Sequence, residues 1–414
     1  MKYFLRIIIL IIAAGLLAIG GCRQKSPTPP PSEPQGIYPE VSGEPSIRIR
    51  ALASTAPLEL IVAGPYKMRV VTVNGENYNG AGQSAVTIGV TATDKGVKLG
   101  KDVYREAEII PEKGVSMRLR TYNGGKSREL VFPGSYTFSR DRQGRTQIVV
   151  SLPMERYLVG VVAGEMPMHF PPESLKALAV AARTFALYHL RTRAAHSYDV
   201  ECDTASQVWN PAAGDARARM AVTTTRGQII TENHRLFPAY FSADCGGVTT
   251  NGKYVFPAAD VNALSGGVRC AYPTPYTWKK NYTRETISAK LSAAGLNNGR
   301  LLRLELLNER KESLGNVLGR VYYVRLVNEN NVERIVSAES FRKALGNGKN
   351  DMASVRMLAT FLTDNHTISF QGQGFGHGVG LCQHGAAYEA GKNHKNHREI
   401  LEKYYPGAEV VKVW

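Results

Sequence analysis

The chain has 414 residues, of which 43% are hydrophobic, and this is enough to build a sizeable core in one large or two closely joined domains. Its 51 lysines and arginines outnumber 35 aspartates and glutamates, and the formal charge of +16 favours an anionic partner. An export signal argues against nucleic acid, which leaves membrane phospholipid, wall polymers, or a generally basic surface without a dedicated site.

A pattern typical of an export signal occupies the N-terminus. Two basic residues precede an apolar run, residues 7–19, that ends in small residues directly before Cys22. This order predicts a signal peptide over residues 1–21, and its end resembles a lipobox in which Cys22 is lipidated. The alternatives are an uncleaved anchor helix, since the run is nearly long enough to span a membrane, or simple soluble export. We therefore expect an extracytoplasmic protein held at the membrane as a lipoprotein.

The next two stretches differ sharply in composition. Residues 22–43 are rich in proline and poor in apolar side chains, which predicts an extended tether. Residues 44–150 contain short alternating apolar runs separated by turn signals such as Asn74-Gly75, Glu112-Lys113-Gly114 and Asn123-Gly124-Gly125. This pattern predicts antiparallel β structure without a catalytic constellation, acting as a scaffold or wall-facing module.

One carboxylate is predicted to lie at the end of a helix. Leu158, Val161, Val162 and Glu165 follow helical spacing, so Glu165 shares the apolar face of a helix that Pro167 must stop. Burial and the negative end of the helix dipole both raise the pKa of such a carboxyl group. A raised pKa suits a general acid near neutrality, while the alternative is a structural ion pair with an arginine.

A long buried helix is predicted next, beginning at Pro171-Pro172-Glu173-Ser174. Its alanine-rich apolar face carries Arg183, whose guanidinium could turn toward Glu165 or an anionic substrate, or could reach water beyond a packed stem. Because residues 44–150 are β-rich and residues 151–414 mix helices and strands, the predicted fold class is α+β.

Shorter elements follow the long helix. Asp199, Glu201 and Asp203 alternate as on an exposed strand, and residues 238–250 are predicted to form another strand. Near the C-terminus a glycine-rich loop, residues 372–380, separates a strand from a helix. Its glycine order does not match G-x-G-x-x-G, so a nucleotide site is not supported.

Three runs of sequence carry a resemblance to a known family. They are E-R-Y-L-V-G-V-V-A-G-E-M-P, E-S-L-K-A-L-A-V-A-A-R-T-F-A and G-Q-G-F-G-H-G-V-G-L-C-Q-H-G-A. In this order they resemble the SpoIID/LytB family of sporulation and amidase-enhancer proteins, over approximately residues 46–412. The resemblance implies a lytic transglycosylase that cleaves peptidoglycan glycan strands, preferably those stripped of peptides. The family's catalytic acid falls on Glu165, and an arginine important to the family falls on Arg183.

The remaining site residues are predicted around a cleft. The family usually carries Ser or Cys before a Gly-Gly pair there, and neutral polar side chains in the glycine-rich loop suit sugar hydroxyls. Aromatic rings suit stacking on a pyranose, although an ordinary half-buried aromatic pair is an equal alternative. For His377 the alternative is a hydrogen bond that stabilises the turn. The predicted substrate-binding residues are Ser242, Gly246, Gly247, Tyr276, Trp278, Gln373, His377 and Gln383.

Four cysteines remain beyond the lipidation site, and an oxidising compartment permits disulfides. Cys245 and Cys270 flank a short loop and are the first predicted pair, and Cys202 with Cys382 follows by elimination. Some family members hold zinc in this region, usually with a histidine near the Gly-Gly pair, where this chain has Val248. We expect no cofactor, with structural zinc left open because four cysteines could converge in space.

A single acid fits a transglycosylase better than a hydrolase. A hydrolase needs a second carboxylate, about 5–9 Å from the first. In a transglycosylase the 6-hydroxyl of N-acetylmuramic acid attacks its own anomeric carbon, so Glu165 alone serves as acid and then base and leaves a 1,6-anhydro end. Two alternatives stay open: a muramidase-type hydrolase using Asp203, and a non-catalytic glycan binder that enhances a cell-wall amidase.

Overall fold

The computed structural model describes residues 43–123, 126–212, 214–296, 299–346, 351–361 and 366–414. The predicted signal peptide, the predicted lipidation site Cys22 and the part of the predicted tether up to residue 42 lie outside these residues. Within the described ranges no helix is both long and apolar enough to cross a membrane. The described chain combines helices and strands, and the predicted α+β class is confirmed.

Strands predominate in the first third of the chain and recur between the helices of the rest. The strands are β1 (Ser46–Ser54), β2 (Leu58–Val62), β3 (Tyr66–Thr72), β4 (Asn77–Gly82), β5 (Val86–Thr93), β6 (Gly96–Leu99), β7 (Asp102–Pro111), β8 (Met117–Asn123), β9 (Lys126–Leu130), β10 (Ser135–Arg140), β11 (Thr146–Pro153), β12 (Val200–Glu201), β13 (Gln228–Glu232), β14 (Phe241–Ser242), β15 (Thr277–Thr283), β16 (Leu301–Leu307), β17 (Gly319–Arg320), β18 (Tyr323–Asn328), β19 (Glu333–Ser337), β20 (Arg356–Phe361), β21 (Thr367–Gln373), β22 (Leu381–Cys382) and β23 (Ala408–Lys412). The helices are α1 (Met154–Glu165), α2 (Pro172–Thr192), α3 (Ala216–Thr224), α4 (Arg284–Ala293), α5 (Ala338–Leu345), α6 (Gln383–Gly391) and α7 (His397–Tyr404), with short 3-10 turns at Gly252–Tyr254, Pro257–Ala259 and Asn262–Leu264.

A twelve-stranded sheet contains β1 to β12 and is antiparallel except where β12 joins the edge of β1 in parallel. The alternation in the sequence produces it: in β2 the side chains of Leu58, Leu60 and Val62 are buried while those between them are partly exposed. The predicted turns at Gly75 and Gly114 are confirmed, since both glycines adopt positive φ. Gly124 and Gly125 of the other predicted turn lie outside the described residues.

The sheet and the first three helices share one hydrophobic core. Ile49 and Phe138 from the strands, Val161 from α1 and Ala182 from α2 belong to the same buried cluster. The alanine-rich α2 contacts α1, α3, α6 and α7, and its small side chains allow this close packing. The core is therefore continuous across the predicted boundary between residues 150 and 151.

The segment of chain from β15 to β21 forms a second hydrophobic core. It is built by α4 and α5 against a four-stranded sheet, ordered β15-β21-β20-β17, and a three-stranded sheet, ordered β16-β18-β19. The glycine-rich loop leaves β21 and enters β22, which pairs in parallel with β14. The strand predicted over residues 238–250 is limited to β14, because Gly246 and Gly247 adopt positive φ and interrupt the extended chain.

Candidate active site

Glu165 is the last residue of α1, as the spacing and Pro167 predict. The following residue, Met166, is extended (φ −121°, ψ 144°), so the helix cannot continue into the proline. The Glu165 side chain is half-buried, and it lies beside the core residues of the same helix, Val161 and Val162. The sequence therefore holds a carboxyl group at the edge of the core.

Two glycines of α1 bring a distant segment onto the helix. A Cβ atom added at Gly160 would lie 2.5 Å from the indole nitrogen of Trp209, and one added at Gly164 would lie 2.7 Å from the Val208 carbonyl oxygen. Without these side chains the segment packs on the helix, and the Val208 N–H donates a hydrogen bond of 2.6 Å to Glu165 Oε1. The spacing of the two glycines, i and i+4, is a sequence signal for this contact, which was not among the predictions.

The second carboxylate oxygen is bound from the C-terminal part of the chain. Gln383 Nε2 donates to Glu165 Oε2 at 3.3 Å, and the Gln383 side chain is 4% exposed. Gln383 is the first residue of α6, directly after β22. The glycine-rich block and the helix that ends at Glu165 therefore meet at one carboxyl group.

Burial raises the pKa of Glu165 to about 7, and the hydrogen bonds from Val208 and Gln383 oppose this effect only in part. Among the described residues no carboxylate hydrogen-bonds to Glu165 or contributes to this shift. A carboxyl group that is half protonated near neutrality can donate a proton to a leaving group and then take one back.

Arg183 does not fulfil the predicted contact with Glu165. Its guanidinium is fully buried and pairs with Glu155, with Nη2 at 2.6 Å from Oε2 and Nε at 3.0 Å from Oε1. It also donates to the backbone carbonyl of Gln228 at 2.9 Å. Glu155 Oε1 accepts a further hydrogen bond from Trp414 Nε1 at 3.0 Å. Arg183 therefore connects α2 to the start of α1, and its partner Glu155 was not among the residues predicted from the sequence.

The acids that follow α2 differ from the sequence prediction. Asp199 is 1% exposed and forms an ion pair of 2.6 Å with Arg48, and Glu201 is half-buried and forms one of 2.7 Å with Arg50. Their predicted exposure is wrong, because β12 joins the edge of the large sheet beside β1. Asp203 is exposed and accepts a hydrogen bond from a turn N–H. None of the three hydrogen-bonds to Glu165.

The serine and glycine pair predicted for the cleft lie next to β22. Ser242 pairs with Cys382 across the two parallel strands, and its buried Oγ has no hydrogen-bond partner among the described residues. Gly246 (φ +71°) packs so closely that an added Cβ would lie 2.6 Å from the Gln373 carbonyl oxygen. Gly247 (φ +107°) faces open space. Ser242 therefore lies beside Cys382, the residue directly before Gln383.

The two predicted stacking residues have different surroundings. The Tyr276 ring lies 5.4 Å from the ring of His384, which follows Gln383 in α6. Trp278 packs against the second core, and its indole N–H donates to Ser354 Oγ at 3.2 Å. An added Cβ at Gly372 would lie 2.2 Å from the Trp278 ring. These contacts place Tyr276 near Gln383. Trp278 is a half-buried structural residue, which was the alternative to sugar stacking.

The side chains of Gln373 and His377 form hydrogen bonds with residues of the loop or of the neighbouring strand β20. Gln373 Oε1 accepts a hydrogen bond from Arg356. His377 Nδ1 accepts one of 3.0 Å from the Val379 N–H. Burial lowers the pKa of His377 to about 4, so the ring is neutral at pH 7. The turn-stabilising hydrogen bond considered for His377 is therefore present.

Three of the described cysteines converge. The sulfur atoms of Cys245, Cys270 and Cys382 lie within 4.8 Å of one another, and all three side chains are buried. The predicted pair is adjacent, with 3.2 Å between the sulfurs of Cys245 and Cys270, but the thiols are free. The pairing of Cys202 with Cys382 is wrong, because Cys202 Sγ lies 3.5 Å from the carbonyl oxygen of Ala51, on β1.

Sequence comparisons identify a matching family profile and several similar proteins. A family profile described as SpoIID, stage II sporulation protein, matches residues 142–231, which include Glu165 and Arg183. An uncharacterised protein of Brachyspira hyodysenteriae is 31% identical over 383 residues, covering 88% of this chain and 92% of that protein. Stage II sporulation protein D of Bacillus subtilis is 26% identical over 281 residues, 64% of this chain and 76% of that protein. The amidase enhancer of Bacillus subtilis is 26% identical over 302 residues, 60% of this chain and 39% of the enhancer.

Proposed function

This chain belongs to the SpoIID/LytB family, and we propose that it is an extracytoplasmic lytic transglycosylase of peptidoglycan. Its substrate is the glycan strand, preferably stripped of peptides, cut between N-acetylmuramic acid and N-acetylglucosamine. The observation that carries the proposal is the carboxyl group of Glu165, half-buried and with a pKa raised to about 7 by burial. Relatives named for sporulation and for amidase enhancement support a role at the cell wall, with an amidase as partner, rather than at nucleic acid.

The proposed reaction needs only the proton of Glu165. The protonated carboxyl donates to the glycosidic oxygen, the bond from that oxygen to the muramyl anomeric carbon breaks, and the N-acetylglucosamine hydroxyl departs. The N–H groups of Val208 and Gln383 stabilise the carboxylate that this step creates. The muramyl 6-hydroxyl then attacks the anomeric carbon and returns its proton to Glu165. No water is consumed, and a 1,6-anhydro ring closes the new end.

The alternative hydrolase requires a second carboxylate near Glu165. Asp199 and Glu201 are engaged in ion pairs with arginines of β1, and Asp203 is exposed on a turn. This favours the single-acid reaction over the hydrolase. The third candidate, an amidase-enhancing binder without catalysis, uses none of the chemistry of a carboxyl group with a raised pKa.

Product analysis distinguishes the three candidates. The full-length protein is incubated with peptide-free glycan strands, and the released fragments are examined by mass spectrometry. We expect 1,6-anhydro ends, which are lighter than reducing ends by one water. Reducing ends would establish a hydrolase instead. Intact strands, together with stimulation of an added cell-wall amidase, would establish the enhancer.

The rate of cleavage is expected to fall as the pH rises through about 7. The active form carries the Glu165 proton, so kcat/KM should decrease about tenfold for each pH unit above the pKa. The neighbouring Tyr157 stays neutral in this range, because burial raises its pKa well above the usual value. The measurement is kcat/KM between pH 5 and 9, with circular dichroism at each pH as a control for folding.

A matched variant tests the assignment of that titration. Gln383→Leu removes a donor that favours the carboxylate, so the midpoint of the pH profile should move upward by about half a unit to one unit. A profile that is flat from pH 6 to 9, or a midpoint that the variant leaves in place, would contradict the role of Glu165 as the titrating acid.

A further inference from the structure

Two arginines lie side by side on the four-stranded sheet of the second hydrophobic core. Arg320 ends β17 and Arg356 begins β20, and the two residues are directly paired across these antiparallel strands. The Cβ atoms of directly paired residues are about 4.5–5.5 Å apart, and like charges in this position destabilise a sheet. Burial lowers the pKa of Arg320, and the charge of Arg356 lowers it further. The fold therefore holds two cations next to each other at a cost in free energy.

Neither guanidinium forms an ion pair with a carboxylate of the described residues. Arg320 Nη2 donates to the backbone carbonyl oxygens of Cys245 and Val248, while its buried Nε and Nη1 have no hydrogen-bond partner in the described ranges. Arg356 Nη1 donates to the neutral side chain of Gln373, at Oε1. A buried charge without a counter-charge is costly. The pair is therefore suited to an anion that the described chain does not supply.

Asp244, the acid that precedes the Gly-Gly turn, is engaged elsewhere. Its Oδ1 accepts a hydrogen bond of 2.6 Å from the Gly246 N–H and another from the Tyr272 hydroxyl. Its Oδ2 accepts one from the Thr274 hydroxyl. Both carboxylate oxygens are thus bound by neutral donors, and neither oxygen forms a described contact with the two arginines.

The guanidinium of Arg356 is the one that a ligand can reach. Its Nε and Nη2 have no hydrogen-bond partner among the described residues and are not buried, whereas the unpartnered nitrogens of Arg320 are buried. Two glycines lie against the pair: an added Cβ at Gly246 would lie 3.2 Å from Arg356 Cδ, and one at Gly378 would lie 3.2 Å from Arg320 Nη1. Gly247 faces open space. The Gly-Gly turn and the glycine-rich loop therefore border the two arginines without covering the outer one.

Contacts through the glycine-rich loop connect the arginine pair with the candidate acid. Gln373, the partner of the outer arginine, is followed by Gly374, whose N–H donates to the Tyr276 carbonyl oxygen at 2.8 Å. The Tyr276 ring lies 5.4 Å from the ring of His384 in α6. The first residue of α6 donates to Glu165. A glycan strand that is bound at Glu165 and extends past Tyr276 therefore approaches the two arginines.

We propose that Arg356 binds a carboxylate of the glycan strand, with Arg320 behind it as a second positive charge. The proposal rests on the function proposed above, and the group recognised is the lactyl carboxylate of N-acetylmuramic acid. This carboxylate is free only in stripped strands, because the peptide is attached to it through a neutral amide. A guanidinium matches the two oxygens of a carboxylate and forms charge-assisted hydrogen bonds, which are stronger than those to an amide. The arginine pair thereby gives the preference for stripped strands a physical cause.

Binding of two matched ligands tests the site without a substitution in it. Both ligands are peptide-free glycan oligosaccharides, and the lactyl group is the free carboxylate in one and the neutral carboxamide in the other. The full-length Glu165→Gln protein, in which the strands stay intact, is titrated with each ligand by calorimetry. We expect the carboxylate ligand to bind about 10- to 100-fold more tightly, the range for a hydrogen bond to a charged group. This ratio should decrease as the ionic strength rises.

A substitution of the outer arginine tests its role in this preference. Arg356→Gln should lower the ratio of the two affinities to about twofold or less, because only neutral hydrogen bonds then remain for either ligand. Arg303→Gln is the matched control, since it removes one positive charge from an exposed residue of β16 and should keep the full ratio.

The outcomes separate this site from the proposed reaction. Equal affinity for the two ligands, no measurable binding of either, or a ratio that Arg356→Gln leaves unchanged would overturn the anion site. Cleavage to 1,6-anhydro ends by a protein without the preference would remove the anion site and leave the reaction. A carboxylate preference in a protein that cleaves no strand would establish the anion site and remove the reaction.

Discussion

Glu165→Gln is expected to lower the rate of glycan cleavage by about 10³-fold, within the range for loss of a general acid and base. Glutamine has the same shape, and its Oε1 can still accept the hydrogen bond from the Val208 N–H. What it lacks is the proton for the leaving oxygen. The measurement is the single-turnover rate of fragment release from peptide-free strands, wild type beside variant.

Asp203→Asn is the matched control for this prediction. Asp203 is exposed and does not hydrogen-bond to Glu165, so the variant should cleave within about twofold of the wild type, as is usual for surface changes. An equal loss in both variants would indicate a pair of carboxylates and hence the hydrolase. Full activity of Glu165→Gln would remove Glu165 from the chemistry altogether.

The same substitution has a stability signature that separates lost chemistry from lost folding. The pKa of Glu165 is about 7 in the folded chain, above the ordinary 4.5, so the folded state disfavours the charged form. The stability contributed by the protonated group is present below pH 4.5 and is lost as the pH rises through 7. At pH 8 the glutamine variant should therefore be more stable than the wild type by about 3 kcal/mol, with little difference at pH 4. Denaturant unfolding at the two pH values measures this, and a less stable variant at pH 8 would contradict it.

The local features of this site could be predicted from sequence because short-range rules determine them. The apolar spacing over α1 and the proline after it place Glu165 at a helix end. Gly160 and Gly164 lie on one face of α1, at i and i+4, and the lack of side chains there lets another segment pack closely against the helix. The neighbour itself, the backbone at Val208, could not be identified from spacing, because it approaches from beyond α2.

The contacts between segments that are distant in the sequence could not be predicted from the sequence. Arg183 has acids on both sides in the sequence, and its choice of Glu155 over Glu165 depends on how α2 packs against α1. Asp199 alternates like an exposed residue, yet it is buried because β12 extends the large sheet. The thiol cluster likewise needs the parallel pairing of β14 with β22 to bring Cys382 beside Cys245.

Arg183→Met is expected to lower the free energy of unfolding by about 3–5 kcal/mol, the usual cost of breaking a buried ion pair by removing one partner. The Glu155 carboxylate would keep hydrogen bonds from the Gly227 N–H and Trp414 Nε1 but would lose its balancing charge. Urea unfolding measures the change. Arg300→Met is the matched control, since its pair with Glu285 is exposed and should contribute less than about 1 kcal/mol.

A double substitution shows whether the cost comes from an unpaired charge. Glu155→Gln combined with Arg183→Met removes both charges. The double variant should therefore lose less unfolding free energy than the two single variants lose in sum. Because Arg183 hydrogen-bonds to Glu155 and not to Glu165, folded Arg183→Met protein should keep the midpoint of the pH profile near 7. A midpoint that moves in this variant, with a stability loss below 1 kcal/mol, would instead make Arg183 a partner of the acid. In that case Arg183 would act on the reaction itself. Its contacts indicate instead that Arg183 stabilises the packing of α2 against α1, the helix that ends at Glu165.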